Sequence, residues 1–166
     1  MSDKETSDVV QYLADLAAIQ EVLVRYFQGL DRCDAQLVRT CFTEDVHVHY
    51  DKRAPVSGIE AVMAHFRTFD RMKKGQMKVT THFMGNLNVK YIRGDVAETE
   101  MNAIAFLVEP ADVMAMRSLR YIDRLRRDGN GWRISDRLHT LDWSCRIPTT
   151  FGATLAERVF ALPERS

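Results

Sequence analysis

Cysteine is scarce in this chain: Cys33, Cys41 and Cys145 are odd in number and none stands in CxxC spacing. They outline no disulfide framework and no recognisable metal site, and read as reduced thiols of a cytoplasmic protein. Excess charge of either sign is missing too. Lys+Arg and Asp+Glu are equal at 23, so no global field favours nucleic acid or an anionic membrane surface. The longest purely apolar run, Ala103 to Val108, is far too short to span a bilayer. The opening Met-Ser-Asp-Lys-Glu-Thr lacks the apolar stretch of a signal peptide. GxGxxG, Walker A, GxSxG and HExxH are all absent, which removes the usual support for dinucleotide, nucleotide, serine-hydrolase and zinc-protease chemistry. Nothing repeats, and no linker divides the chain.

What is there suits one ordinary domain over residues 1–166, with a core at about 8–146 and a tail or lid at 147–166. Hydrophobic residues make up 46% and charged ones 28%, the balance of a globular protein. Residues from about Ser7 to Leu30 read as a long amphipathic helix capped by Ser7-Asp8. Leu13, Leu16, Ile19, Leu23, Val24, Phe27 and Leu30 share its apolar face, and Asp15, Glu21, Arg25 and Gln28 lie outside it. A short helix follows through Ala35–Cys41, then a strand at Val46–Tyr50. Ile59, Val62, Met63, Phe66, Phe69 and Met72 predict a third helix. From Met77 the period changes to strands at about 78–92, 95–108, 112–127 and 131–146. Arg93-Gly94-Asp95 and the Asp128–Gly131 stretch form tight turns between them; the Arg-Gly-Asp triplet is read as a turn, not an adhesion signal. Three helices followed by a strand meander predict an α+β fold, with helices on one side of a curved, mainly antiparallel sheet. Such a cone can leave a pocket at its mouth.

Several polar residues sit where such a pocket would be. Asp31 continues the stripe of Leu13, Gln20, Val24 and Phe27, so an apolar helix face ends in a carboxylate, unless the helix has already stopped and Asp31 is a turn residue. A buried carboxylate needs a partner. His82 is a candidate: strand alternation sorts His82, Met84 and Asn86 on one face and Phe83, Leu87 and Val89 on the other. A lone strand histidine can equally be a structural hydrogen-bonder. Arg137 shares its parity with Arg133, Ser135, His139 and Leu141 and lies among many other arginines. Tyr26 lies on the apolar arc of the first helix, about 140° round from Asp31. His47 and His49, at i and i+2, offer two ligands from one strand face, but no third stands at recognisable spacing, so no metal is expected.

The run Ile19-Gln20-Glu21-Val22-Leu23-Val24-Arg25-Tyr26-Phe27-Gln28-Gly29-Leu30-Asp31 resembles the first helix of SnoaL-like members of the nuclear transport factor 2 (NTF2-like, cystatin-like) fold. So do Phe42-Thr43-Glu44-Asp45, Ser57-Gly58-Ile59-Glu60-Ala61, Thr81-His82-Phe83-Met84-Gly85-Asn86-Leu87, Tyr121-Ile122-Asp123-Arg124 and the stretch from Asp128 to Arg137. Within that family the pattern is most similar to scytalone dehydratase, bile-acid dehydratase and hexachlorocyclohexane dehydrochlorinase. In those enzymes a helix-one Asp and a strand His form a dyad at the floor of the cone. The resemblance assigns these positions to Asp31 and His82, a matching arginine to Arg137 and the bile-acid dehydratase's tyrosine to Tyr26. The bile-acid enzyme's mid-sheet Asp is not reproduced; its place falls in the apolar run after Asn102, and its late arginine falls near Leu141. Substrate and leaving group therefore do not transfer.

The resemblance implies a cofactor-free lyase of the dehydratase or dehydrohalogenase kind. His82, oriented by Asp31, is the expected base, and Tyr26 or Arg137 stabilises the departing group. Phe27, Tyr50, Met84, Asn86, Asn102 and His139 are the candidate substrate-binding residues. The substrate is expected to be small and mostly apolar, aromatic or polycyclic, and the protein a cytoplasmic homo-oligomer, dimer or trimer. Two other readings fit the same fold: a ketosteroid-isomerase-like or cyclase proton-transfer enzyme, and a non-catalytic ligand-binding or dimerisation module.

Overall fold

The computed structural model describes residues 2–110, 113–148, 158 and 161. Among these residues four helices, α1 (Asp3–Asp31), α2 (Ala35–Arg39), α3 (Ile59–His65) and α4 (Arg67–Lys73), accompany six strands. The strands are β1 (Phe42–Tyr50), β2 (Val56–Ser57), β3 (Val79–Arg93), β4 (Val96–Glu109), β5 (Val113–Asp128) and β6 (Gly131–Pro148). They form one curved sheet in the order β2-β1-β6-β5-β4-β3. Every pairing is antiparallel except that of β1 with β6.

The first helix begins earlier than the apolar pattern suggests. Ser2 is its cap, with Glu5 completing a reciprocal capping box, so the donors of the first turn are satisfied upstream of Ser7. The early turns project from the body, leaving Val9, Val10, Tyr12 and Leu13 exposed. Asp15, expected outside the apolar face, is instead buried. Its carboxylate accepts from Trp132 Nε1 at 2.9 Å and from the Arg127 guanidinium, which offsets the cost of burying a charge.

The far end of α1 positions the site. Cys33 adopts φ 56°; its N–H donates to the Leu30 carbonyl at 3.1 Å, and the Asp34 N–H donates to the Gly29 carbonyl at 2.8 Å. These are the two bonds of a Schellman stop, and Asp34 at once caps α2 through the Leu37 N–H at 2.9 Å. Asp31 is thus the last residue of a helix that ends abruptly against the sheet.

The expected third helix is two. Phe66 leaves helical geometry with ψ 88°, ending α3 and starting α4. Its ring packs near Tyr26, Tyr50 and Phe69, with centroids 6.2, 5.8 and 5.9 Å away. Aromatic packing outweighs the helical continuity that the spacing of Met63, Phe66 and Phe69 predicts.

Strand alternation holds through most of the sheet: Ala97, Met101, Ala103, Ala105 and Leu107 of β4 face the helices. The opposite face carries the row Phe83, Ile104, Ser118 and Trp143, partners across four strands. Phe83 is 67% exposed. Alternation breaks in β3, where the register jumps between Met84 and Leu87 so that Gly85 and Asn86 together oppose Asn102. A Cβ on Gly85 would lie 3.0 Å from the Asn102 carbonyl oxygen, so the bulge needs a glycine there. Beyond it the parity inverts: Leu87 packs on the core and Asn86 is exposed. No helix among the described residues is long and apolar enough to cross a membrane.

Candidate functional site

Asp31 and His82 meet, although about fifty residues separate them. The His82 ring is joined to Asp31 through Nδ1 and Oδ1 at 2.7 Å, and the His82 backbone N–H donates to Oδ2 at 2.8 Å. Thr80 Oγ1 donates to Oδ1 at 2.9 Å. Burial acts to raise the Asp31 pKa, but the hydrogen bonds and charge of His82, with Thr80, outweigh it and hold the carboxyl below its ordinary value; the acceptor is an anion. With Nδ1 bonded to a carboxylate, a neutral ring carries its proton on Nδ1 and leaves Nε2 without one. Phe27 stacks on the imidazole at 5.4 Å and 18°, and the His82 side chain is 8% exposed. The ring is held by the carboxylate at its edge and by Phe27 on one face.

His82 lies in the wall of a cavity of about 650 Å³ that Tyr26, Tyr50, Tyr121 and His139 also line. This is ample for a small ligand. Tyr26 is buried, and its phenol pKa is raised by that burial and partly pulled back by the Arg137 guanidinium. Tyr50 and Tyr121 are pushed well above 10, burial being the main cause. Three neutral phenols therefore stand in the cavity wall. His139 lies between Tyr50 and Tyr121, at 5.3 and 4.7 Å. Burial and the nearby Arg137 charge push its pKa down to about 4. The two cavity histidines differ in kind: His82 has a carboxylate against its ring, and His139 has a cation nearby. The Tyr50 hydroxyl and His139 Nδ1 are buried without a well-formed hydrogen bond among the described residues.

Arg137 is placed differently from the expectation that it meets the departing group. It is 2% exposed and locked to Asp123 by two hydrogen bonds, Nε to Oδ1 at 2.7 Å and Nη2 to Oδ2 at 2.6 Å. Its guanidinium lies 4.1 Å from the Tyr26 ring centroid and 4.7 Å from that of Tyr121. It is not among the residues lining the large cavity. Burial costs the guanidinium, yet the Asp123 carboxylate holds its pKa well above the ordinary value, and the face-on phenol rings add cation–π attraction.

Of the six expected substrate-binding residues, Tyr50 and His139 line the main cavity. Phe27 and Met84 line a smaller recess of about 270 Å³ behind the dyad, with Asp31, Arg32 and Arg158. Asn86 and Asn102 do neither: the β3 bulge turns Asn86 out, and Asn102 points away between inward Met101 and Ala103. His47 bonds Ser57 at 2.7 Å through Nδ1, and no group of three metal-ligating side chains occurs among the described residues. The tail begins later than 147, because β6 continues to Pro148. The rest of the expected lid lies outside the described residues, apart from Ala161 and Arg158. Arg158 donates to the carbonyls of Asp31 and Thr80, both at 2.9 Å.

Asp123 and Arg117 were not singled out from the sequence. The signal was in β5, where Ala115, Arg117, Leu119, Tyr121, Asp123 and Leu125 share one parity: two charges interrupt an apolar inward row.

An α+β cone with a carboxylate-bonded histidine in its cavity wall defines the class. The chain belongs to the SnoaL-like domain family, whose model matches residues 11–138. An uncharacterised protein of Mycobacterium tuberculosis is 28% identical over 134 residues, 79% of this chain and 88% of that one. Among solved structures, an NTF2-like protein with a cystatin-like fold from Novosphingobium aromaticivorans superposes with TM-score 0.70 at 22% identity, covering 85% of this chain and 90% of that one. A hexachlorocyclohexane dehydrochlorinase from Novosphingobium barchaimii gives TM-score 0.70 at 14% identity, covering 90% of this chain and 99% of its own. At these identities the likeness establishes the NTF2-like, cystatin-like fold and leaves the chemistry to the site.

Proposed function

We propose that this protein is a small-molecule lyase in which His82 is the general base and Asp31 its orienting partner. The observation that carries the reading is the 2.7 Å bond between Asp31 Oδ1 and His82 Nδ1 in the wall of the 650 Å³ cavity. His82 Nε2 takes a proton from a carbon next to an activating group. The electron pair of that C–H bond forms the new double bond, and the leaving group departs with its own bonding pair. Asp31 stabilises the imidazolium so formed, as in other carboxylate–histidine pairs. Tyr26, a neutral phenol, donates a hydrogen bond to the departing atom or to a developing oxyanion. Arg137 acts from behind Tyr26 by favouring negative charge on the phenol oxygen, and is a positioning residue. General-base help of this kind supplies about 10²–10⁴ in rate; orientation in the cavity supplies the rest. The aromatic walls suit a mostly apolar substrate body, and the exposed row through Phe83 and Trp143 suits self-association.

The test is proton exchange in heavy water against a panel of bicyclic ketones and β-hydroxy ketones, read by mass spectrometry. The expected result is deuterium incorporation or loss of water with the native protein, abolished in His82→Asn and reduced in Asp31→Asn. Ligands that bind without exchange, equally well in His82→Asn, would move the protein to the binding class.

A further inference from the structure

The cavity is unevenly charged, in a chain whose total charge is zero. Among the described residues, five cations line it, Lys52, Arg53, Arg67, Arg71 and Arg117, against one carboxylate, Asp51. Lys52, Arg53 and Arg67 are exposed and so mark the mouth. Arg71 is already paired with Glu109 at 3.0 Å, and Glu109 is shared with Arg146 at 2.6 Å. Arg53 bonds the ring of His65 at 3.1 Å, not an acid. The side chains of Lys52, Arg67 and Arg117 make no hydrogen bond or ion pair among the described residues.

Arg117 is the informative member. It stands in the inward row of β5, between Ala115 and Leu119, which are both buried. Burial and the neighbouring Arg71 charge disfavour its cationic form, with Glu109 opposing them. A half-buried guanidinium facing a cavity without a carboxylate partner is costly, and an incoming anion relieves that cost. Its place relative to the base is set by register. His82 pairs with Ala105, Ala105 with Arg117 and Arg117 with Ser144. Directly paired residues share a face, so all four point into the cone from one line across the sheet. His82 and Arg117 are two strands apart, a backbone separation of about 10 Å. Only the methyl of Ala105 stands between them.

We propose that the cavity takes a substrate with an apolar body and an anionic group, a carboxylate or a phosphate, and that Arg117 with the mouth cations binds that group. The reading rests on the cavity being the site of the proposed reaction. It gives the substrate a polarity: the anion seats at Arg117, and the reacting carbon lies about two strand spacings away at His82. Guanidinium suits either anion, because its planar donors match carboxylate and phosphate oxygens bidentately.

Calorimetric titration with matched probes tests this: 2-naphthoate, its neutral amide 2-naphthamide, and 2-naphthyl phosphate. The expected result is that at least one anion binds the native protein tenfold or more tighter than the amide. Preference for naphthoate assigns a carboxylate, and preference for naphthyl phosphate a phosphoryl group. That preference shrinks between 50 and 300 mM salt and falls to about twofold in Arg117→Met, with amide binding unchanged. His82→Asn keeps the preference, because anion binding does not need the base; failure of the lyase reading and failure of this one are thereby separable. If Arg117→Met does not fold, the double variant Lys52→Ala/Arg67→Ala, altered only at exposed positions, is expected to lower the preference about threefold. Equal affinity for acid, phosphate and amide in the native protein, or a preference untouched in either variant that folds, would overturn the proposal.

Discussion

Asp31 and His82 are joined twice: one carboxylate oxygen bonds ring Nδ1 at 2.7 Å and the other accepts the backbone N–H of the same residue at 2.8 Å. The helix end therefore grips the strand and the ring together, and the imidazole cannot turn without breaking a helix–sheet contact. Asp31→Asn is expected to keep the shape but not the charge, and to lower kcat by about 10²–10⁴. Because the folded carboxyl pKa lies below its ordinary value, its pH-dependent contribution to stability is complete above that ordinary value and is lost as pH falls through the folded one. Urea midpoints measured from pH 2 to 7 should show the pH-dependent advantage of the native protein over Asp31→Asn only in the upper part of that range.

His82 as base requires a neutral ring. Once a substrate is in hand, kcat/KM should fall on the acid side with a slope of one proton, and His82→Gln should remove activity without shifting the melting temperature by more than a few degrees. A flat acid limb in the native enzyme would count against the role.

His139 carries a different pH signature. Its folded pKa of about 4 lies below the ordinary value of 6.5, so its stabilising effect is complete above about pH 6.5 and is lost as pH falls through 4. Over that window the native protein should lose roughly 2–3 kcal/mol relative to His139→Leu. Chemical denaturation at pH 4, 5.5 and 7 measures it.

The Arg137–Asp123 pair is fully buried, the side chains being 0% and 1% exposed. Removing one partner leaves the other as an uncompensated charge. Asp123→Leu or Arg137→Met alone should each cost about 3–5 kcal/mol, while the double variant should cost less than the sum. A double-mutant cycle in urea reads the difference; additive losses would mean the pair is not coupled.

Gly29 of α1 lies against Val38 of α2. A Cβ there would lie 2.6 Å from Val38 Cγ2 and 3.0 Å from the Val38 backbone nitrogen. Alanine adds about 1 kcal/mol of helix propensity, but overpacking of this kind costs about 1–3 kcal/mol, and Val38 is β-branched and cannot swing aside. Gly29→Ala should be destabilised, and Val38→Ala should partly rescue it, as judged by Tm.

The strands and helices were legible in the sequence because each amphipathic element follows a local period: the 3.6-residue repeat through Ile19, Leu23 and Phe27, and the two-residue alternation through Ala103, Ala105 and Leu107. The family followed from short motifs such as Thr81–Leu87 and Gly131–Ser135. Where local rules compete with packing, they misled. Phe66 interrupts a helix to join an aromatic cluster, the Gly85–Asn86 bulge inverts the faces of β3 from Leu87 to Val89 until a second register shift before Tyr91 restores them, and Asp15 is buried because Trp132 and Arg127 reach it from far along the chain. The identity of Asp31 and His82 as residues of interest lay in the sequence. Their bond did not, because it depends on where a helix stops against a strand fifty residues later. Nor could spacing alone place Arg137 behind Tyr26 instead of in the cavity, or set His82 and Arg117 on one line with an alanine between them. Those are facts of strand register, which no segment determines alone.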